Sequence, residues 1–375
     1  MHAGGEELLP PQNKPPPLAR APMKSFTLLF AAAALSSSSV LAVPSPSDPS
    51  EVTYQIKQTV TLADIPAGTK TVKWWISVPG DDTNQQVLDF AASIPGKWSV
   101  VTEPDHGNRF LYAEISSPAT PTLSATIDVT LRRQSVAVTI DPAKVGPITD
   151  AVRTVFADEL RGDAPHMQVT PAITAMADKA CGTESNPALE AKSLLGLVAG
   201  TTIHYSRDPS KSKFSVGDAE VCLAHGGGTC TDIHSLFIAL ARARGIPARL
   251  QMGYRLKEAN AGKATDPGYR CWAEYFLPGY GWVPTDLVEA EDPKGLGPDR
   301  WFTGLTARRL WLNQGREFNL PNRANGSSPV NTMIIGYAEI DGVPARVLPD
   351  GSKAAQLSRT VYYNEVKAPA LVAVN

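Results

Sequence analysis

From Gly226 to Arg249 the chain reads GGGTCTDIHSLFIALARARGIPAR, and this stretch restricts the fold more tightly than any other. Thr229 stands where a helix N-cap belongs, and Asp232 brings negative charge into the first turn. Ile233, Leu236, Phe237, Leu240 and Ala241 recur as one apolar stripe. Arg242 and Arg244 precede Gly245, and with Pro247 just beyond, that glycine ends the pattern. The spacing predicts a helix over Cys230–Arg244, with Cys230 in its first turn. A thiolate at that position is stabilised by unsatisfied N–H groups and by the helix dipole. Gly226, Gly227 and Gly228 let the backbone turn sharply and approach a substrate, and an N–H on such a loop is a natural oxyanion donor. A free cysteine is more often a small core residue. The Gly-Gly-Gly-Thr context favours function here.

Around this helix the chain changes period. Tyr54, Ile56 and Val60 share a face, as do Val72, Trp74, Ile76 and Val78. Leu123, Ala125, Ile127, Val129 and Leu131 alternate again, then Val136, Val138 and Ile140. Residues 51–145 therefore read as an N-terminal β-sandwich that follows a Ser/Pro linker at 43–50. Helical spacing takes over from Ile148, with stops at Gly162 and Gly200. Two strand patterns, RLQMGYRL and YRCWAEYFL, follow the cysteine helix. Helices followed by antiparallel strands predict an α+β core over 146–300, its cysteine helix packed on an antiparallel sheet. Residues 301–375 read as a C-terminal β-rich extension. A chain of 375 residues can hold two or three such units. Its net charge of -2, without basic runs and interleaved aromatics, argues against a nucleic-acid partner.

The N-terminus reads as an export signal. Residues 1–22 are Pro-rich and patternless, so they are expected to be an unstructured upstream segment, with translation starting at Met23. Lys24, the apolar run Phe26–Leu35 and the small-residue ending Val40-Leu41-Ala42 form a signal peptide over 23–42, cleaved after Ala42. The apolar run is shorter than the ~20 residues of a spanning helix, so no membrane span remains after cleavage. No cysteine follows the cut, which disfavours a lipoprotein. The expected location is the periplasm or the exterior.

Four cysteines in an exported chain raise the question of disulfides. If Cys230 stays free, Cys181–Cys222 is the candidate pair; four buried thiols are the equal alternative. Cys222, His225, Cys230 and His234 also form a C-x-x-H-x-x-x-x-C-x-x-x-H spacing that could hold zinc. Only Cys230 and His234 share a helix face, however, and a zinc site leaves the downstream strand unexplained. No metal or other cofactor is expected.

Read together, Gly228–Arg249 and YRCWAEYFLPGYGWVPTD resemble the transglutaminase-like family of papain-fold cysteine enzymes. The resemblance runs from about Asp150 onward and is closest over Val221–Ala290. After the cysteine helix the family carries His-x-Trp-x-Glu on a strand, then a Pro-Gly-x-Gly-Trp-x-Pro-x-Asp turn. Trp272, Glu274, Pro278, Gly279, Gly281, Trp282, Pro284 and Asp286 fit that pattern. The resemblance implies Cys230 as nucleophile, flanked by Gly228 and Thr229, and Asp286 as the orienting acid. With the register fixed by Trp272, the histidine position is occupied by Arg270.

Strand alternation puts Arg270, Trp272 and Glu274 on one face and Cys271 on the other, packed behind the sheet. An arginine can stabilise a thiolate or an oxyanion. It cannot accept the thiol proton or return one to a leaving amine, help that is typically worth about 10²–10⁴-fold. An Arg270–Asp286 ion pair is expected, so either turnover is reduced or another group supplies the proton. His234 reads as a core histidine. His225, on the glycine loop, could reach the cleft, while His106, His166 and His204 have no assigned place. The resemblance implies acyl transfer, or amide or isopeptide hydrolysis, on peptide or protein substrates, here of the cell envelope or beyond. The alternative is a non-catalytic binding protein whose cleft and sandwich recognise a peptide or glycan.

Overall fold

Alternating residues from Glu51 onward build strand β1 (Glu51–Ala63), in which every second side chain is buried. The computed structural model describes residues 49–211, 216–324, 326–333, 335–345 and 356–366. The upstream segment, the signal peptide at 23–42 and most of the linker at 43–50 lie outside the described residues. Strands β2 (Thr71–Ser77), β3 (Gln85–Ser93), β4 (Lys97–Thr102), β5 (Arg109–Ser116) and β6 (Leu123–Gln134) follow β1. They fall into two sheets, one holding β1, β6 and β3 and the other β2, β5 and β4. Val60, Val72, Trp74, Ile76, Leu111, Ile115 and Ile127 are buried in a core common to both.

After the short β7 (Val136–Ala137), helices appear: α1 (Asp150–Val155), α2 (Ala157–Leu160), α3 (Pro171–Cys181) and α4 (Pro187–Thr201). Thr170 and Asn186 cap α3 and α4 through their side chains, and each is followed by a proline that suits the first turn. Next come β8 (Ile203–His204), α5 (Ala219–His225), β9 (Gly227–Gly228) and the cysteine helix α6 (Cys230–Ala243). Strands β10 (Ala248–Arg255), β11 (Arg270–Leu277) and β12 (Gly281–Thr285) pair antiparallel, with Arg249 opposite Glu274. The α+β core is the one expected, with α6 lying on this sheet. Ile233, Leu236, Phe237 and Leu240 of the helix share a core with Leu250, Met252, Ala273 and Tyr275 of the strands.

The helix differs from the simple one-stripe expectation. Its polar side is buried too, including Thr231, Asp232, His234, Ser235 and Arg242. Apolar residues of α3 and α4, among them Ile173, Leu194 and Val198, join the same core and enclose the helix. Buried polar groups of this kind need internal partners, and that need shapes the site.

The remaining elements are α7 (Leu287–Ala290), α8 (Pro298–Phe302), β13 (Gly304–Leu305), β14 (Arg309–Gln314), β15 (Tyr337–Ile340), β16 (Val343–Pro344) and β17 (Gln356–Val366). The described strands beyond residue 301, expected within one extension, are shared out instead. β14 closes the core sheet beside β10, β15 joins β2, and β17 pairs antiparallel with β1. The sandwich thus takes strands from both ends of the chain. Among the described residues no helix is long and apolar enough to cross a membrane.

Candidate active site

Cys230 is placed by the residues on both sides of it. Before it, Gly227 and Gly228 pair parallel with Ile203 and His204. Gly227 has φ +135°, and a Cβ there would sit 2.0 Å from the Ile203 carbonyl oxygen, so only glycine fits. After it, α6 is fastened by a capping box. Thr229 Oγ1 accepts from the Asp232 N–H at 3.4 Å, while Asp232 Oδ2 accepts from the Thr229 N–H at 2.8 Å and its hydroxyl at 2.6 Å. Cys230 is the first residue inside the cap and is 3% exposed.

Four groups act on its sulfur. Burial alone would push the Cys230 thiol up. Hydrogen bonding from Cys271 and His204, with the charge of Arg270 and the neighbouring His234 ring, outweighs it and holds the thiol well below its ordinary range. Cys271 goes the other way: burial and the hydrogen bond to Cys230 raise it well above the ordinary value. Of the two adjacent thiols, Cys230 is therefore the one that gives up its proton more readily. Thr231 Oγ1 lies 3.2 Å from the Cys271 sulfur, and the Tyr269 hydroxyl reaches the Thr229 and Thr231 side chains.

This corrects the expectation for Cys271. Strand alternation holds, but the helix packs on the face that carries Cys271, Ala273 and Tyr275. Cys271 stands beside Cys230, not behind the sheet.

His234 has both nitrogens committed. Nδ1 lies 2.7 Å from the Cys230 carbonyl, which only accepts, and Nε2 takes the Leu287 N–H at 3.0 Å. The ring is therefore neutral, with its proton on Nδ1. Burial lowers its affinity for a second proton. The ring clips α6 to α7 and fills the core role expected of it.

Asp286 is fully buried and caps α7, its Oδ1 accepting the Glu289 N–H at 3.1 Å. Its expected ion pair with Arg270 is not the one formed. Arg309 Nη2 lies 2.7 Å from Asp286 Oδ2, with the guanidinium 5.6 Å from the Trp272 ring centre and 5.5 Å from that of Trp301. Arg270 pairs with Glu289 at 3.2 Å. Burial works to raise the Asp286 carboxyl, yet the charges of Arg309 and then Arg270 pull it down to about 2. Trp272 therefore packs with the Asp286–Arg309 pair. Arg309 could not be paired with Asp286 from spacing, because the chain returns to the site only through α8 and β13.

The other candidates separate from this cluster. His225 is exposed at the end of α5. Cys181 and Cys222 are free, buried thiols, so the candidate disulfide is not formed. The zinc spacing does not close into a site either, since among the described residues no three His, Cys, Asp or Glu side chains are placed to hold a metal. His204 is the group that sequence reasoning left unplaced. A two-residue parallel strand carries no period by which to find it.

The model of the "Transglutaminase-like superfamily" matches residues 174–287. Over 331 residues the chain is 28% identical to an uncharacterized protein of Haemophilus influenzae, covering 78% of this chain and 86% of that one. The crystal structure titled "a Putative Cysteine Protease" from Cytophaga hutchinsonii is similar with a TM-score of 0.56 and 17% identity, covering 86% of this chain and 93% of that one. At that identity the likeness is one of fold.

Proposed function

Because the chain belongs to the transglutaminase-like superfamily through its core at 174–287, we propose that it takes an acyl group from a peptide or protein onto Cys230 and passes it to water or an amine. The observation that carries this reading is Cys230 itself, a thiol at the first turn of a capped helix held well below its ordinary range. The thiolate adds to the acyl carbonyl, and first-turn N–H groups, which lack intrahelical partners, face the oxyanion that forms. Collapse expels the leaving group and leaves a thioester on Cys230, which the acceptor then cleaves. The signal-like segment at 23–42 supports placing this reaction outside the cytoplasm, on cell-envelope or external substrates.

One observation favours the second reading, a binding protein that does not turn its ligand over. Arg270 stands where the family carries a base and is committed to Glu289. Incubating the full chain with a peptide acyl electrophile separates the two. The enzyme reading expects a covalent acyl adduct on Cys230 that is absent from Cys230→Ala. Tight peptide binding without any adduct would support the binding protein.

A further inference from the structure

One imidazole that acts on Cys230 lies outside the motif. The parallel pairing of β8 with β9 sets His204 opposite Gly228, and the Tyr205 N–H donates to the Gly228 carbonyl at 2.9 Å. The side chain of His204 is thereby brought to the first turn of α6, buried and within reach of the Cys230 sulfur. Its frame is fixed from behind. Glu291 Oε1 accepts the His204 backbone N–H at 2.9 Å and pairs with Arg207 at 2.8 Å. The Tyr205 ring centre lies 4.5 Å from the imidazole.

The neighbours also settle which nitrogen carries the proton. The Ser206 N–H lies 3.3 Å from Nδ1, and the Ser206 hydroxyl lies 2.7 Å from the same atom. A backbone N–H only donates, so Nδ1 accepts and the proton of the neutral ring sits on Nε2. Nε2–H is then the free donor that a thiolate can use.

We infer that His204 is a catalytic residue of this chain, serving Cys230 as a fixed, neutral hydrogen-bond donor through Nε2 and not as a base. The inference rests on the acyl-transfer reading and narrows its substrate class. Attack leans little on a base, because the groups around the sulfur favour its thiolate form. A neutral imidazole gives no proton to a departing amine, and Arg270 gives none either. Acyl donors whose leaving group departs as an anion therefore suit the site, thioesters first. The bond from Cys230 Sγ to the acyl carbon forms, the donor's own C–S bond breaks, and the released thiolate takes a proton from water.

Several other groups face the sulfur. Tyr269, Arg270 and Cys271 approach from the strand side and His234 from the same helix. Removing His204 should thus weaken the thiolate without abolishing it.

The test compares wild type, His204→Gln, His204→Leu and Cys230→Ala. It reads the pH midpoint of Cys230 alkylation, and acylation by a peptide benzyl thioester against the matching peptide anilide. His204→Leu should raise the midpoint by about one to two pH units, the size of a lost hydrogen bond to a charged group. It should also slow acylation by the thioester about tenfold or more at neutral pH. His204→Gln keeps an N–H donor and should restore most of that loss. Wild type should accept acyl groups from the thioester and not from the anilide. An unchanged midpoint in His204→Leu overturns the proposal. So does His204→Gln as damaging as His204→Leu, which is the behaviour of a base, and so does anilide cleavage as fast as thioester consumption. A midpoint that shifts as expected while wild type takes no acyl group from either donor keeps the donor role and removes the acyl-transfer reading.

Discussion

Cys230 and Asp286 are both buried acidic groups, and each is held by partners other than the one suggested by its motif. The sequence makes the departure at Arg270 plain, since Trp272 fixes the register. It does not show that Arg309 has taken Asp286 while Arg270 has gone to Glu289. The Asp286–Arg309 pair gives a pH signature. The carboxyl falls from the ordinary 3.8 to about 2 in the folded chain. Its contribution to stability is fully present above about pH 4 and is lost as pH drops through about 2, on the order of 2 kcal/mol. Asp286→Asn would leave Arg309 buried without its counter-charge. We expect a loss of about 3–5 kcal/mol at neutral pH and a flatter decline between pH 4 and 2, read from urea midpoints across that range. A variant as stable as wild type at pH 7 would contradict this account of the pair.

At the scale of elements, α6 could be read from the sequence because its cap, stripe and stop agree. β11 could be read as a strand, but its inward face could not. Alternation divides Arg270, Trp272 and Glu274 from Cys271 without saying which side the helix covers. β8 and β9 are too short for any periodic signal, yet they set His204 opposite Gly228, two residues before Cys230. Gly227 is the visible trace of that pairing. Gly227→Val would meet the Ile203 carbonyl and force an unfavourable φ, displacing β8 from β9. The expected result is a lower melting temperature, with slower Cys230 alkylation at neutral pH in the fraction that remains folded. A folded variant that keeps wild-type reactivity would show that β8 does not position the site.

Over the whole molecule the chain closes on itself. β17 pairs with β1, and β14 lines the core sheet whose far end carries β12. Tyr54, Ile56 and Leu131 of the sandwich share a core with Tyr254 of β10, Leu256 just beyond it, and Leu310 and Leu312 of β14. Local alternation shows that residues beyond 301 are strands, but not that they return to the first strands, because strand pairing across the chain leaves no mark in local period. The molecule therefore surrounds its four thiols with different environments. Burial pushes the Cys181 and Cys222 thiols up, while the groups around Cys230 pull that one down. The most direct measurement is iodoacetamide alkylation of the full chain as a function of pH, with each thiol followed separately by mass spectrometry. The account predicts a Cys230 midpoint well below the ~8.5 of a free thiol, with Cys181 and Cys222 unmodified at pH 7. A Cys230 midpoint at or above ~8.5, or reactivity no greater than that of Cys181 and Cys222, would contradict it.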